Sequence, residues 1–254
     1  MNLETALFCS GAYLVGSLPV GVWTGRAYGV DVRSAGSGNV GATNVWRTVG
    51  PLQALFVLLL DVAKGYAPAA LAGWLLSAEG FSPVYALAAG GFAVLGHTAS
   101  PFLRFRGGKG VATGLGVLVA ATPEVAAVAL MVWAALLLAL RYMSFSSVCA
   151  AASAPVTAAL LGKSPPVVYI YIGLAMLVVV NHRSNIRRLL RGEESKFSFK
   201  STPKGGRNSD AGNLCSDERE NGDSEGGARM QGGDHHASES ETPRLSGKGK
   251  GRRT

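Results

Sequence analysis

Charged residues are scarce over the first 199 positions, which hold 14 Lys and Arg and 7 Asp and Glu residues. The segment TALFCSGAYLVGSLPVGVW, at positions 5–23, carries no charge and is about long enough to cross a bilayer. Glu4 stands where the basic region of a signal peptide would lie, so cleavage is not expected. Further apolar stretches follow at residues 52–76, 83–97, 111–121, 124–140, 144–161 and 165–181. The pattern predicts an all-α polytopic helical bundle in a membrane.

Cysteine is scarce as well. Cys9 and Cys149 lie inside apolar stretches, and Cys215 lies near the C-terminus. Three cysteines placed in this way support neither a disulfide framework nor a metal site. No metal and no cofactor are therefore expected.

The last 55 residues almost lack large apolar side chains, with Leu214, Met230 and Leu245 as nearly the whole set. Such a segment cannot bury enough surface to offset the entropy of ordering, so disorder is expected. Its 10 basic and 9 acidic residues nearly balance, which argues against a nucleic-acid partner. Two domains are predicted, a membrane domain at 1–196 and a disordered polar tail at 197–254.

The distribution of basic residues sets the direction of the spans. Residues 111–140 could form one long helix, or two shorter helices that turn at 122–124. Two helices place 12 basic residues on the inner side against Lys163 alone outside, whereas one helix would split them 7 against 6. About seven spans, some of them short, are therefore predicted. The N-terminus would lie outside, and three polar segments and the tail would face the cytoplasm.

The first polar segment, DVRSAGSGNVGATNVWR at 31–47, matches the dinucleotide fingerprint at Gly36, Gly38 and Gly41. The match is rejected because the fingerprint needs a βαβ unit, whereas transmembrane helices flank this segment. The glycines still allow backbone N–H groups to approach a ligand closely. Hydrogen-bond donors accompany them: Ser37, Asn39, Thr43, Asn44 and Arg47. The alternative is an ordinary polar loop between helices.

The second polar segment holds Gly107, Gly108, Lys109 and Gly110 directly before the apolar stretch 111–121. It lacks the spacing of an ATP-binding phosphate loop. A lysine among consecutive free N–H groups, at the positive end of a helix, nevertheless predicts an anion site. At about 1.5 Å per residue the helix spans only about half the bilayer, so protein must surround it. The alternative is that these charges only fix the topology.

The third polar segment, NHRSNIRRLLRGEESK at 181–196, directly follows the last apolar stretch. His182 and Asn185 share one face if the helix continues into this segment. The alternative is a basic amphipathic helix that lies on anionic lipid.

Three titratable residues lie within or at the end of apolar stretches. Asp61 and Lys64 are three positions apart, and a structural ion pair is favoured over a functional role. His97 ends the stretch 83–97 and is expected to orient the second polar segment.

Three motifs together resemble one protein family. GSGNVGATNVWR (36–47), GHTASPFLRFRGGKGVATG (96–114) and NHRSNIRRLLRGEESK (181–196) closely resemble the cytoplasmic motifs of the bacterial membrane glycerol-3-phosphate acyltransferases that use acyl phosphate. LLLDVAKG (58–65) and LRYMSFSS (140–147) are also similar to that family. The resemblance covers about residues 1–196. The sequence GEESK lacks the family's usual Thr before the glutamate, which leaves Glu194 as the match.

The resemblance implies transfer of a fatty acyl group from acyl phosphate to the sn-1 hydroxyl of glycerol 3-phosphate. The products would be lysophosphatidic acid and phosphate, in phospholipid biosynthesis at the cell inner membrane, with membrane lipid as a further partner. Catalytic roles are implied for Ser37, Arg47, His182 and Asn185, and a structural role for Glu194. Substrate binding is implied for Gly36, Gly38, Asn39, Gly41, Thr43, Asn44, Gly107, Gly108, Lys109 and Gly110.

The residues leave two points open. The proton of the acceptor hydroxyl could pass to His182 or to a phosphate oxygen of a substrate. The alternative function is a membrane transporter of an organic phosphate, in which half-helices also point at an anion. The lack of an internal repeat and the one-sided position of the anion-binding residues disfavour the transporter.

Overall fold

The computed structural model describes residues 3–198, so the predicted tail lies outside the described residues except for positions 197 and 198. Every regular element of this part is helical. The α-helices of residues 3–198 are α1 (Leu3–Gly16), α2 (Val20–Ala27), α3 (Ala42–Thr48), α4 (Pro51–Leu75), α5 (Pro83–Thr98), α6 (Val111–Ala121), α7 (Pro123–Leu140), α8 (Met143–Leu160), α9 (Pro165–Asn181) and α10 (Arg183–Leu190). A 3₁₀ turn at Pro101–Leu103 follows α5.

The predicted all-α membrane bundle is confirmed. Five segments of residues 3–198 are long and apolar enough to cross a membrane: Leu3–Ala27, Pro51–Leu75, Pro83–Leu103, Pro123–Leu140 and Met143–Leu160. α9 qualifies as a sixth together with α10, which bends away from it by 60°. The 11-residue α6 is shorter and packs against α4, α5 and α7. Protein therefore surrounds this short helix, as its unsatisfied ends require.

The first apolar stretch, predicted as one span, contains a break between two helices. α1 ends at Gly16 and α2 begins at Val20, with Pro19 in the break. Proline cannot donate a backbone hydrogen bond, so a helix is readily interrupted there. The carbonyl of Leu18, which this break frees, accepts a hydrogen bond of 3.1 Å from Lys64 Nζ.

Asp61 and Lys64 form a buried ion pair on α4, with 2.8 Å between Lys64 Nζ and Asp61 Oδ1. Because Lys64 also binds the carbonyl of Leu18, the pair ties α4 to the break between α1 and α2. Two partners satisfy this buried ammonium, as a charge at membrane depth requires. The geometry supports a structural role for the pair.

α4 and α6 pack with their backbones in close contact. A Cβ atom at Gly116 would lie 2.0 Å from the carbonyl oxygen of Val62, so no larger residue fits at this crossing. Small residues at such crossings allow membrane helices to approach closely. The contact holds the short α6, and hence the loop before it, against the middle of the bundle.

The bundle has a small-residue core and an apolar outer surface. The main core cluster includes Leu87, Val117 and Tyr171, together with buried alanines of α5, α6 and α8. Large apolar side chains such as Trp74 and Leu138 point outward. An apolar outer face of this kind suits contact with lipid tails.

Candidate active site

One large cavity of about 1230 Å³ opens between the helices. Its polar end comprises side chains of the three polar segments, among them Ser37, Arg47, Lys109, His182 and Asn185. Its apolar end lies between α6, α7, α8 and α9. Eleven of the site residues expected from the sequence line the cavity: Gly36, Ser37, Asn39, Gly41, Thr43, Asn44, Arg47, Lys109, Gly110, His182 and Asn185. Gly38, Gly107 and Gly108 do not line it.

Asn44 organises the first polar segment. Its Oδ1 atom accepts hydrogen bonds from the backbone N–H of Ser37 at 2.8 Å and from Ser37 Oγ at 3.1 Å. Its Nδ2 atom donates to the carbonyls of Val32 and Ala35. The buried Asn44 amide therefore holds the loop in shape and leaves the Ser37 hydroxyl at the cavity wall.

The Gly107–Gly108 backbone packs directly against the end of α5. The N–H groups of Gly107 and Gly108 donate to the carbonyls of Thr98 and His97, each at 3.0 Å. A Cβ atom at Gly107 would lie 2.0 Å from the His97 oxygen, and one at Gly108 would lie 2.1 Å from His97 Nε2. The sequence suggested that these N–H groups would be free for an anion, but α5 occupies them. The glycines allow this contact, and the contact directs Lys109 into the cavity.

A hydrogen-bonded chain links Lys109 to the third polar segment. Lys109 Nζ donates to Asn185 Oδ1 at 2.6 Å, and Asn185 Nδ2 donates to Glu194 Oε1 at 2.7 Å. Ser144 Oγ at the start of α8 also donates to Oε1, at 2.7 Å, and Arg188 Nε donates to Oε2 at 2.8 Å. These three hydrogen bonds outweigh the desolvation of the Glu194 carboxylate and hold its pKa below the usual range. The ionised carboxylate of Glu194 thus holds the Asn185 side chain in place beside Lys109.

The polar end carries an excess of positive charge. Burial lowers the pKa of Lys109 to about 8; Glu194 acts in the opposite direction, and Arg188 and Arg47 add to the lowering. The guanidinium of Arg47 makes no hydrogen bond or ion pair with another residue of 3–198. Three cations thus face a cavity in which Glu194 is already engaged by hydrogen bonds. An arrangement of this kind suits a phosphate group, because each unpaired donor can bond an anionic oxygen.

His182 lies at the junction of α9 and α10 and is buried. Its Nδ1 atom lies 2.8 Å from the carbonyl oxygen of Val178, which can only accept a hydrogen bond. Nδ1 therefore carries the proton, and Nε2 of the neutral ring is left as an acceptor. Since His182 lines the cavity, this ring can accept a hydrogen bond or a proton from a bound hydroxyl group.

A comparison with family models identifies the chain. The model of the glycerol-3-phosphate acyltransferases matches residues 6–192. The chain belongs to this family. It is an acyltransferase of a multi-pass membrane type, and its family acts in phospholipid biosynthesis.

Curated relatives and solved structures agree with this assignment. The acyltransferase is 47% identical to a glycerol-3-phosphate acyltransferase of Desulforudis audaxviator over 78% of this chain and 98% of that protein. It is 42% identical to that of Geobacter sulfurreducens, over 77% and 98%. Crystal structures of PlsY (YgiH), an integral membrane glycerol 3-phosphate acyltransferase, exist in a glycerol 3-phosphate form and a lysophosphatidic acid form. They match with TM-scores of 0.72 and 0.70 at 39% and 38% identity, over 77% of this chain and 96% of those.

Two residues of the acyltransferase site were not assigned from the sequence. Ser144 and Arg188 both bind Glu194, and both line the cavity. Ser144 lies in the motif LRYMSFSS, to which no role was given, and Arg188 was one of several arginines of the third segment. Only their shared hydrogen-bond partner, Glu194, separates these two residues from the other serines and arginines nearby.

Replacing Glu194 by alanine is expected to destabilise the acyltransferase by about 2 kcal/mol, because three buried or half-buried donors lose their acceptor. We also expect kcat/KM to fall about 10²-fold, since Asn185 is no longer held beside Lys109. Thermal unfolding in detergent and a turnover assay measure the two effects. The control is Glu193→Ala, which removes the same charge from an exposed neighbour. Equal effects of the two substitutions would contradict the positioning role of Glu194.

Proposed function

We propose that this acyltransferase moves a fatty acyl group from acyl phosphate to the sn-1 hydroxyl of glycerol 3-phosphate. The hydroxyl oxygen attacks the carbonyl carbon, the bond from that carbon to the phosphate oxygen breaks, and lysophosphatidic acid and inorganic phosphate leave. The observation that carries the proposal is a single cavity in which a cationic polar end continues into an apolar end. The substrate and product forms of PlsY support glycerol 3-phosphate as acceptor and lysophosphatidic acid as product.

Both substrates carry phosphate, and the polar end offers several donors for it. We assign phosphate binding to Lys109, Arg47 and the hydroxyl of Ser37, with Gly110 and the first amides of α6 behind them. The acyl chain would then lie in the apolar end, between the helices. Acyl phosphate is already activated, so positioning and charge stabilisation can supply most of the acceleration without a covalent enzyme intermediate. The proton of the hydroxyl passes either to His182 Nε2 or to a phosphate oxygen of a substrate.

We propose further that the polar end faces the cytoplasm, that the N-terminus lies outside, and that the protein resides in the cell inner membrane. The excess of basic residues in the three polar segments supports this orientation. A water-soluble acceptor can then reach the site from the cytoplasm, while the acyl donor stays in the lipid phase.

The donor assay tests the proposed reaction. The purified protein is supplied with labelled glycerol 3-phosphate and with acyl phosphate, acyl-CoA or no donor. We expect lysophosphatidic acid with acyl phosphate only, and strong loss of product in Ser37→Ala. The matched control is Ser34→Ala, since Ser34 is an exposed serine of the same loop outside the cavity lining. Product formed with acyl-CoA but not with acyl phosphate would mean that acyl-CoA is the donor. Binding of glycerol 3-phosphate without any product would favour the transporter.

The rate is expected to depend on the charge of Lys109. Its pKa of about 8 means that the side chain is charged below pH 8 and loses its proton as the pH rises through that value. We therefore expect kcat/KM to fall about tenfold per pH unit above pH 8, because kcat/KM reports the free enzyme. In Lys109→Arg the decline should move to higher pH, since guanidinium stays charged. An unchanged alkaline limb in that variant would assign the limb to another group.

The polar tail is expected to be dispensable for the reaction. Within the described residues 3–198, the cavity lining runs from Gly36 to Phe197. Deleting residues 200–254 should therefore leave kcat and KM unchanged, as measured in the donor assay with the shortened protein. Loss of activity in a truncated protein that unfolds at the same temperature would show that the tail contributes.

A further inference from the structure

The apolar end of the cavity ends at a wall of packed side chains inside the bundle, although it is open sideways along α7, where the exposed Leu130 and Leu138 line it. Its deepest lining residues are Leu118, Ala129, Ala154 and Tyr171, one from each of α6 to α9. The residues one turn further along, such as Val125 and Ala158, are fully buried in the main core cluster and do not line the cavity. A chain that enters from the polar end therefore meets packed side chains at this depth.

Tyr171 has the largest side chain of these four residues, and a hydrogen bond holds its hydroxyl group. Its hydroxyl shares a hydrogen bond with Thr122 Oγ1, at the turn between α6 and α7. Tyr171 and Thr122 are each only 1% exposed. A buried ring that is tied at its far end cannot swing aside without losing a hydrogen bond in an apolar environment.

The depth of the apolar end follows from helix geometry. Tyr171 precedes His182 by 11 positions on α9, which corresponds to about 16 Å at 1.5 Å per residue. Ala154 follows Ser144 by 10 positions on α8 and gives about 15 Å. An extended hydrocarbon advances about 1.3 Å per carbon, given tetrahedral bonds of about 1.5 Å. The space between the polar end and the wall thus fits an acyl chain of about 12 to 13 carbons.

We propose that Tyr171, fixed by Thr122, is the specificity-determining residue that limits the length of the acyl chain accepted by this enzyme. The inference rests on the proposed function, because it places the donor chain in the apolar end. Chains up to the limit lie straight between α6 and α9. Longer chains must bend or push against the ring, and their transfer slows.

The test is the chain-length profile of the full-length enzyme. Rates with acyl phosphates of 12, 14, 16 and 18 carbons are compared in the wild type and in substitutions of the wall. Tyr171→Leu and Tyr171→Ala remove side-chain volume from the wall and lengthen the apolar end. We expect the ratio of kcat/KM for 18 carbons to that for 14 to rise at least tenfold. Ala154→Leu fills the same level from α8 and should lower the ratio for 16 carbons to that for 12 at least tenfold. Tyr171→Phe keeps the ring but removes its hydrogen bond to Thr122, so the ratio for 18 carbons to 14 should rise less than in Tyr171→Leu but above the wild-type value.

The outcomes separate the two proposals. Opposite shifts in the Tyr171 and Ala154 variants support the limit. Active variants with the wild-type chain-length profile would overturn the limit. They would mean that a bilayer lipid, rather than the acyl donor, occupies the apolar end. If the wild type forms no lysophosphatidic acid from any of these donors, the proposed function fails, and the chain-length limit fails with it. Activity on the 12-carbon donor shows that Ala154→Leu has folded.

Discussion

Replacing Lys109 by methionine is expected to lower kcat/KM for lysophosphatidic acid formation about 10³-fold. Methionine keeps most of the length of the side chain and removes its charge, so the cavity retains its shape. The loss is large because Lys109 is half-buried at the cavity and lies just before the N-terminus of α6, where an anion is already favoured. Initial rates at several concentrations of both substrates measure the effect.

The matched control for this substitution is Arg106→Gln. Arg106 lies three positions earlier in the same loop, is exposed, and does not line the cavity. Its removal should change kcat/KM only slightly, because an exposed charge is screened by water and salt. Similar losses in the two variants would mean that the net charge of the loop matters, and would contradict a specific phosphate contact at Lys109.

Substituting His182 by glutamine is expected to lower kcat about 10²- to 10³-fold. Glutamine can accept a hydrogen bond from the acceptor hydroxyl but cannot take up its proton. It also cannot reproduce the ring that donates to Val178 and presents Nε2 to the cavity. Saturating turnover in detergent, measured from about pH 3 to pH 9, gives both the size of the loss and its dependence on pH.

The pH profile of His182→Gln identifies the proton acceptor. If the His182 ring is the base, the acidic limb of the kcat profile disappears in the variant along with most of the rate. If a substrate phosphate takes the proton, the limb stays where it was and only the rate falls. Near-normal turnover with an unchanged profile would exclude His182 from proton transfer. Asn181→Gln, at the preceding position, tests whether disturbance of the α9–α10 junction alone produces the loss.

The apolar helices of this protein could be predicted from hydropathy, but two of their ends could not. The stretch 5–23 is uniformly apolar, so only the missing N–H of Pro19 indicates the break between α1 and α2. The 60° bend near His182 was also missed, because the i,i+3 argument assumed a continuous helix. His182 and Asn185 nevertheless line the same cavity, His182 from the bend and Asn185 from α10.

The candidate site could be predicted as far as its motifs extend. Glycines and donors that follow one another in the chain are visible in the sequence. The contact between Ser144 and Glu194 joins residues 50 positions apart, and no local pattern reports such a pair. The use of the Gly107 and Gly108 amides was likewise hidden, because only the packing of α5 shows that carbonyls already occupy them.

The attachment of the Gly107–Gly108 backbone to α5 has a consequence for inhibitors. A loop that folds only around its ligand lowers affinity by the entropy of ordering, whereas this loop is ordered by its own protein contacts. A rigid compound with a phosphate-like group and a short alkyl arm would therefore meet a preformed receptor. The protein would lose little conformational entropy when it binds such a compound. The potency would therefore depend mainly on how well the shape of the compound fits the site.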